Sequence, residues 1–159
     1  MISRFAIRPA ESAADLADAA RLFRSYAASL PIDLSYQGFE AELAGLPGKY
    51  APPAGALLIA RNEHETAIGC VALRPIDGDG VCEMKRLYVT PDARGMGLGD
   101  ALIARIVASA RASAYAEMRL DTLPTMLAAL GLYIRAGFRE IPAYYPTPIA
   151  GTVFLGLTL

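Results

Sequence analysis

The sequence predicts an α+β fold, a mixed and mostly antiparallel sheet with helices packed on it. Three observations lead there. Short runs with period-two alternation or continuous apolar character recur at 4–8, 56–61, 67–74, 82–89, 117–121, 138–141 and 152–159. Two longer segments, 14–29 and 98–112, carry apolar residues at helical spacing. The second of these lies between two strand runs, so those strands should be parallel, joined by a helical crossover.

In chain order, Arg4 to Arg8 alternates Phe5 and Ile7 with polar residues, and Pro9 ends this first strand. Ser12 or Asp15 caps a helix from about Ala14 to Ser29, with Leu16, Ala19, Ala20, Phe23 and Ala27 as its stripe. The segment after Pro31 is less regular, with a short helix over Phe39 to Leu43 closed by Gly45 and Pro47. A turn at Pro52 to Gly55 opens the strand Ala56 to Arg61. The polar turn Asn62 to Glu65 joins it to Ala67 to Arg74, which makes a hairpin. The turn Asp77-Gly78-Asp79-Gly80 leads to the central stretch, Cys82 to Gly99.

That stretch delivers an apolar strand to an arginine, three glycines and a helix from Leu98 to Ala112, striped by Leu102, Ile103, Ile106 and Val107. Glu117 to Asp121 is the next strand. Thr122 or Asp121 caps a helix with Pro124 in its first turn, running to Ala136 and stopping at Gly137. Phe138 to Ile141 and Thr152 to Leu159 are the last strands, separated by the proline-broken loop YYPTPIAG.

At 159 residues the chain reads as one domain, 1–159, without internal repeat or linker. A formal charge of −1 argues against nucleic acid or an anionic membrane as the main partner. No apolar run is long enough to span a bilayer, and MISRFAIRP lacks a signal-peptide core, so the expected location is cytoplasmic. Cys70 and Cys82 lie in apolar strand runs and read as buried reduced thiols, a cross-strand disulfide being the other reading. His64 is the single histidine, at a hairpin tip, and there is no Cys–His cluster, so no metal site is expected. A homodimer is compatible with the sequence.

Strand, glycine-rich loop and helix N-terminus together form an anion site, because the first amides of a helix lack internal acceptors and carry the positive end of the dipole. The glycines read G-x-G-x-G at Gly95, Gly97 and Gly99, with Asp100 where a dinucleotide fingerprint has its third glycine. No Lys-Ser or Lys-Thr follows, so a triphosphate P-loop fails as well. What remains is R-x-x-G-x-G, Arg94 through Gly99. It resembles the coenzyme A pyrophosphate loop of the GNAT N-acetyltransferase superfamily. Leu132 to Phe138, LYIRAGF, is similar to the L-Y-x-x-x-G-F signature of the same enzymes.

The resemblance spans nearly the whole chain. It implies a central sheet with helices on both faces and a splayed parallel strand pair. It also implies direct transfer of an acetyl group from acetyl-coenzyme A to a primary amine of a small molecule. Protein or peptide N-acetylation, and a catalytically weak coenzyme-A-binding regulatory module, are the alternatives.

The resemblance also implies roles. The pantetheine arm would pair with the backbone of Leu87, Tyr88 and Val89, with the Leu87 N–H polarising the acyl carbonyl; Leu87 and Val89 serve equally well as core residues. The diphosphate would rest on Gly95, Met96, Gly97, Leu98, Gly99 and Asp100, with Arg94 beside it. Tyr133 is the candidate general acid, protonated at its ordinary pKa of about 10, or else an aromatic packed at the core edge. Glu83, four residues before Leu87, is the candidate base, acting directly or through water. Its other reading is an ion pair with Lys85, Arg86 or a neighbouring strand. Asp121 and Thr122 could touch the cofactor, though helix capping suits them. Acceptor selection would fall to Tyr26, Asp33, Tyr36, Gln37 and Phe39 on one side, with Tyr144 and Tyr145 on the other.

Overall fold

The computed structural model describes residues 4–76 and 78–159; Asp77 of the expected turn and the side chain of Tyr36 lie outside the described residues. The strands are β1 (Phe5–Pro9), β2 (Ala56–Asn62), β3 (Ala67–Pro75), β4 (Val81–Val89), β5 (Glu117–Thr122), β6 (Arg139–Glu140) and β7 (Val153–Thr158). They form one sheet in the order β1-β2-β3-β4-β5-β7-β6. Only β4 and β5 pair in parallel. The α-helices are α1 (Ala13–Ser29), α2 (Phe39–Ala44), α3 (Leu98–Ala112) and α4 (Leu127–Arg135).

Both faces of the sheet are covered, which is why its middle strands read as nearly continuous apolar runs. On one face Leu58, Ala60 and Val71 pack with Leu102, Ile103 and Ile106 of α3. On the other, Leu57, Ile59 and Cys70 pack with Leu22 and Phe23 of α1, and with Phe39 and Leu43 of α2. Burying each Leu, Ile or Phe side chain contributes about 1.5–3 kcal/mol. The two free cysteines fall on opposite faces, Cys70 toward α1 and Cys82 toward α3. No helix among the described residues is long and apolar enough to cross a membrane.

Two local expectations change. Pro9 is the last residue of β1, opposite Leu58; an edge strand tolerates proline because its outer side needs no donor. Neither Asp121 nor Thr122 caps α4, and Pro124 precedes that helix. Asp121 instead accepts the Tyr145 hydroxyl at 2.8 Å, and the Thr122 hydroxyl points to the Met126 sulfur, so both stay on the last residues of β5.

The start of α1 is more elaborate than a single cap. Asp15 N–H donates to Ser12 Oγ, while the Asp15 carboxylate accepts the Glu11 and Ser12 amides, a capping box. Arg61 of β2 reaches the same carboxylate at 2.7 Å and Asp18 at 2.9 Å, tying helix to sheet. The two backbone donors, then Arg61, hold the Asp15 pKa down at about 2. Asp15→Ala should lower stability at neutral pH by about 1 kcal/mol, the usual worth of a cap. Because the folded-state pKa is depressed, that contribution is complete above the unfolded value near 4 and fades as pH falls toward 2. Urea unfolding of both proteins from pH 7 to 3 should show the gap narrowing; a constant gap would assign the loss to packing.

Candidate active site

The site begins where β4 and β5 part. They pair only over Val81–Glu83 and Glu117–Arg119, after which β5 continues with β7 and the β5-facing backbone of Met84 to Val89 is left open. A bulge sits at the same place. Opposite β3, Cys70 meets Tyr88 but Ala72 meets Lys85, so β4 holds one extra residue there. Arg86 takes φ +62°, a left-handed conformation rare for a side chain of its size. The extra residue reverses the side-chain alternation. Before it Glu83 faces the α2 side of the sheet, and after it Tyr88 does so while Leu87 and Val89 pack with the α3 core.

Buried Arg86 holds the bulge. Its Nε and Nη2 donate to the Glu42 carboxylate of α2, both at 2.9 Å. The guanidinium also lies 5.2 Å from the Phe39 ring centre and 5.8 Å from that of Tyr26. Phe39, expected at the acceptor cleft, is thus buried beneath Arg86. Asp33 accepts the Ser35 amide at 2.8 Å and starts the short turn Leu34–Gln37.

Within the fork is a cavity of about 30 Å³, room for roughly one water. Leu87, Met84 and Tyr133 border it from the α3 side, Gln37, Lys85 and Asp121 from the other. Tyr133 packs edge-on against Phe138 at 5.9 Å. Burial, with Tyr26 and Asp121 adding to it, pushes its phenol above the usual tyrosine range, so it stays protonated at neutral pH. Lys85 donates to Gln37 at 3.1 Å, and burial lowers its pKa.

A cleft of about 800 Å³ opens from the C-terminal end of β4, between the glycine loop and the start of α4. Gly95 and Gly97 have φ +85° and +80°, and a Cβ on either would point into open space. Gly97 caps α3 without a side-chain acceptor, so the amides of the first turn face the cleft unclaimed. These features fit a diphosphate. Arg94 is exposed beside them, its Nε on the Val89 carbonyl at 3.2 Å. The other loop residues do different work. Leu98 is buried in the core, Met96 packs against it, and exposed Asp100 pairs with Arg135 of α4. A Cβ on Gly99 would stand 2.8 Å from Leu132, so this glycine lets α4 approach α3.

On the α2 side a second cavity, about 350 Å³, surrounds Glu83. Its carboxylate is 2% exposed. Oε1 accepts Arg74 Nε at 2.9 Å and lies 3.9 Å from Lys85 Nζ, and Oε2 accepts the Tyr144 hydroxyl at 2.6 Å. The ion pairs are therefore with Arg74 of the neighbouring strand and with Lys85, and not with Arg86. Burial, then the Glu83 charge, pushes the Tyr144 phenol well above its usual range and keeps it a donor. Tyr144 and Tyr145 pack edge-on around Phe154 at 5.2 and 5.3 Å.

The structure thus brings Leu87 and Tyr133 to one small cavity and puts Glu83 in the next one. Exposed His64 stands apart on the β2–β3 turn. Sequence reading passed over Arg74, Arg119 and Lys49 around Glu83, and the first turn of α4 along the cleft. An arginine inside each of the apolar runs CVALRP and EMRLD was the available signal for two of them.

Comparison with known proteins bears on this geometry. The model of the Acetyltransferase (GNAT) family matches residues 19–138. An uncharacterized N-acetyltransferase of Schizosaccharomyces pombe is 44% identical over 145 residues, covering 91% of this chain and 89% of the relative. An IAA acetyltransferase of Azospirillum brasilense is 33% identical over 103 residues, covering 63% and 67%. Among solved structures, an acetyltransferase from Streptococcus agalactiae superposes with TM-score 0.79 at 25% identity, covering 99% and 100%. The fold is also that of yncA from Salmonella typhimurium, solved with its cofactor acetyl-CoA, with TM-score 0.69 at 20% identity and coverage of 98% and 94%.

The open space at Gly97 yields a test. Gly97→Val would strain a left-handed residue and fill the approach to the amides at the α3 N-terminus. Coenzyme A affinity, read by calorimetry on the folded variant, should fall about tenfold or more, the loss of one charge-assisted bond or more. Unchanged affinity would remove the loop from the diphosphate site.

Proposed function

The chain belongs to the Acetyltransferase (GNAT) family and is an acyltransferase, and from that premise we propose that it binds acetyl-coenzyme A and transfers the acetyl group directly to the primary amine of a small molecule. The observation that carries this is the fork between β4 and β5. An 800 Å³ cleft with a glycine-capped helix reaches it from one end of β4, and a smaller cavity of about 350 Å³, aromatic and charged, lies at the other. That cavity suits a small acceptor better than a protein tail. The unit is residues 1–159 working as one domain, in the cytoplasm, where thiols such as Cys70 and Cys82 stay reduced.

Acetyl-coenzyme A supplies the acetyl group as a thioester. The residues around the fork supply the rest. The Leu87 N–H donates to the acyl oxygen as negative charge develops on it. The amine nitrogen forms the new bond to the acyl carbon, and Glu83 receives the amine proton through an intervening water. Tyr133 gives its proton to the sulfur as the carbon–sulfur bond breaks. The Tyr133 phenol is protonated at neutral pH, so the proton is in place before each turnover.

Two measurements test this reading. Coenzyme A or acetyl-coenzyme A should raise the melting temperature by mass action, with NAD and ATP far less effective; equal stabilisation by NAD would sink the cofactor assignment. The second is a pH–rate profile. Tyr133→Phe keeps the ring on Phe138, so stability and cofactor affinity should hold while kcat drops by about 10²–10⁴-fold. Glu83→Gln should be slowest at low pH, where the amine is protonated, and recover partly as pH rises. Wild-type rates in the first variant would make Tyr133 a packing residue. A pH-independent deficit in the second would make Glu83 a structural or substrate-holding carboxylate.

A further inference from the structure

The cavity around Glu83 is more positive than a simple amine acceptor requires. Lys49, Arg74 and Arg119 line it, against Glu83 as the one lining carboxylate among the described residues. Arg74 spends its Nε on Glu83, and its two Nη groups make no hydrogen bond to a described residue. Arg119 gives Nε and Nη2 to Glu117 and holds its guanidinium 5.5 Å over the Tyr144 ring, at the cavity wall. Lys49 has no ion pair among the described residues. A ligand bearing a second cation would meet like charges here. A ligand bearing an anion would meet donors arranged for charge-assisted bonds.

Spacing narrows the ligand further. Arg74 Nε stands 2.9 Å from Glu83 Oε1, so the positive and negative poles of this cavity adjoin. A small molecule that places an ammonium near Glu83 and an anion on the Arg74 fork must carry both groups close together. An α-amino acid, with both on one carbon, does so. We propose that the acceptor is a free amino acid or a closely similar amino carboxylate. Its carboxylate is held by Arg74, Arg119 and Lys49, and its amino group turns toward Glu83. This rests on the acetyltransferase reading above and names its substrate class. Tyr144 and Tyr145 then flank the acceptor's side chain, and the cavity of about 350 Å³ accommodates a molecule of that size.

The test compares each standard amino acid with its own amide, and where available with the amine left by decarboxylation, in coenzyme A release from acetyl-coenzyme A. Amides and decarboxylated amines keep the nitrogen and lose the anion. For the acceptors that turn over, the acid should exceed both analogues about tenfold or more in kcat/KM, the loss expected when a charged partner is removed. Lys49→Met and Arg119→Gln should raise KM for the acid and lower its kcat/KM by a larger factor than that of the decarboxylated amine, so that the preference for the acid shrinks. A general structural role for either residue would instead lower both equally. Analogues matching or surpassing the acids overturn the proposal. Calorimetry on the coenzyme-A-loaded protein, with the same acids and amides, reads the pocket without turnover: binding of acids over amides supports it, and equal or absent binding overturns it. Failure of coenzyme A to raise the melting temperature would strike the acetyltransferase reading alone, since acid-over-amide binding can be measured on the protein without it.

Discussion

The geometry of the site depends on one extra residue in β4. With Arg86 in a left-handed conformation, a cost of about 1–2 kcal/mol, the strand changes which side chains face which side halfway along its length. Without the bulge Tyr88 would enter the α3 core and Leu87 would leave it. The strain persists because the Arg86 guanidinium is committed elsewhere. Two bonds to Glu42 and two aromatic rings fix it to α2 and α1. A buried guanidinium robbed of its carboxylate is strongly unfavourable, so the bulge, α2 and the turn preceding it form one mechanical unit. The helix α2 and the backbone of β4 at Leu87 are thereby held in register with each other.

The same unit explains the distribution of charge. Glu83 and Lys85 lie before the bulge and face the α2 side, where Arg74 and Arg119 from the flanking strands join them. Few of these groups could be buried alone. Together they form a chain from Lys85 through Glu83 to Arg74 and Tyr144, closed by the loop that packs on Phe154. The apolar core continues undisturbed on the opposite face, with Met84, Met118 and Leu120. Around β4 and β5 the sheet thus has a dry face toward α3 and a charged patch on the other, beside the apolar core under α1 and α2.

Much of this was legible in the residues. Period-two runs and two helical stripes located the sheet and the long helices, because burial on one face imposes those periods. The tight entry to α3 was legible because the left-handed turns at Gly95 and Gly97 favour glycine. The bulge was not, since a non-glycine residue at φ +62° leaves no mark in composition, and its cause, Glu42, is 44 positions away. Asp121 and Thr122 had the right types and spacing to cap a helix. Asp121 is instead claimed by Tyr145, 24 positions on, and Thr122 by Met126, because the helix starts later than the spacing suggests. The cavity at Glu83 was not legible either: Arg74 and Arg119 meet there only because both strands pair with β4 at Glu83, and Lys49 joins from the turn Gly48–Tyr50.

The cleft and the Glu83 cavity lie at different ends of β4, one fenced by α3 and α4, the other by the strand arginines and the tyrosine loop. They share no lining residue. Substitutions at Lys49, Arg119 or Tyr145 therefore stand clear of the glycine loop, and changes along α4 stand clear of the strand arginines. Either chamber can be refurnished while the other keeps its walls.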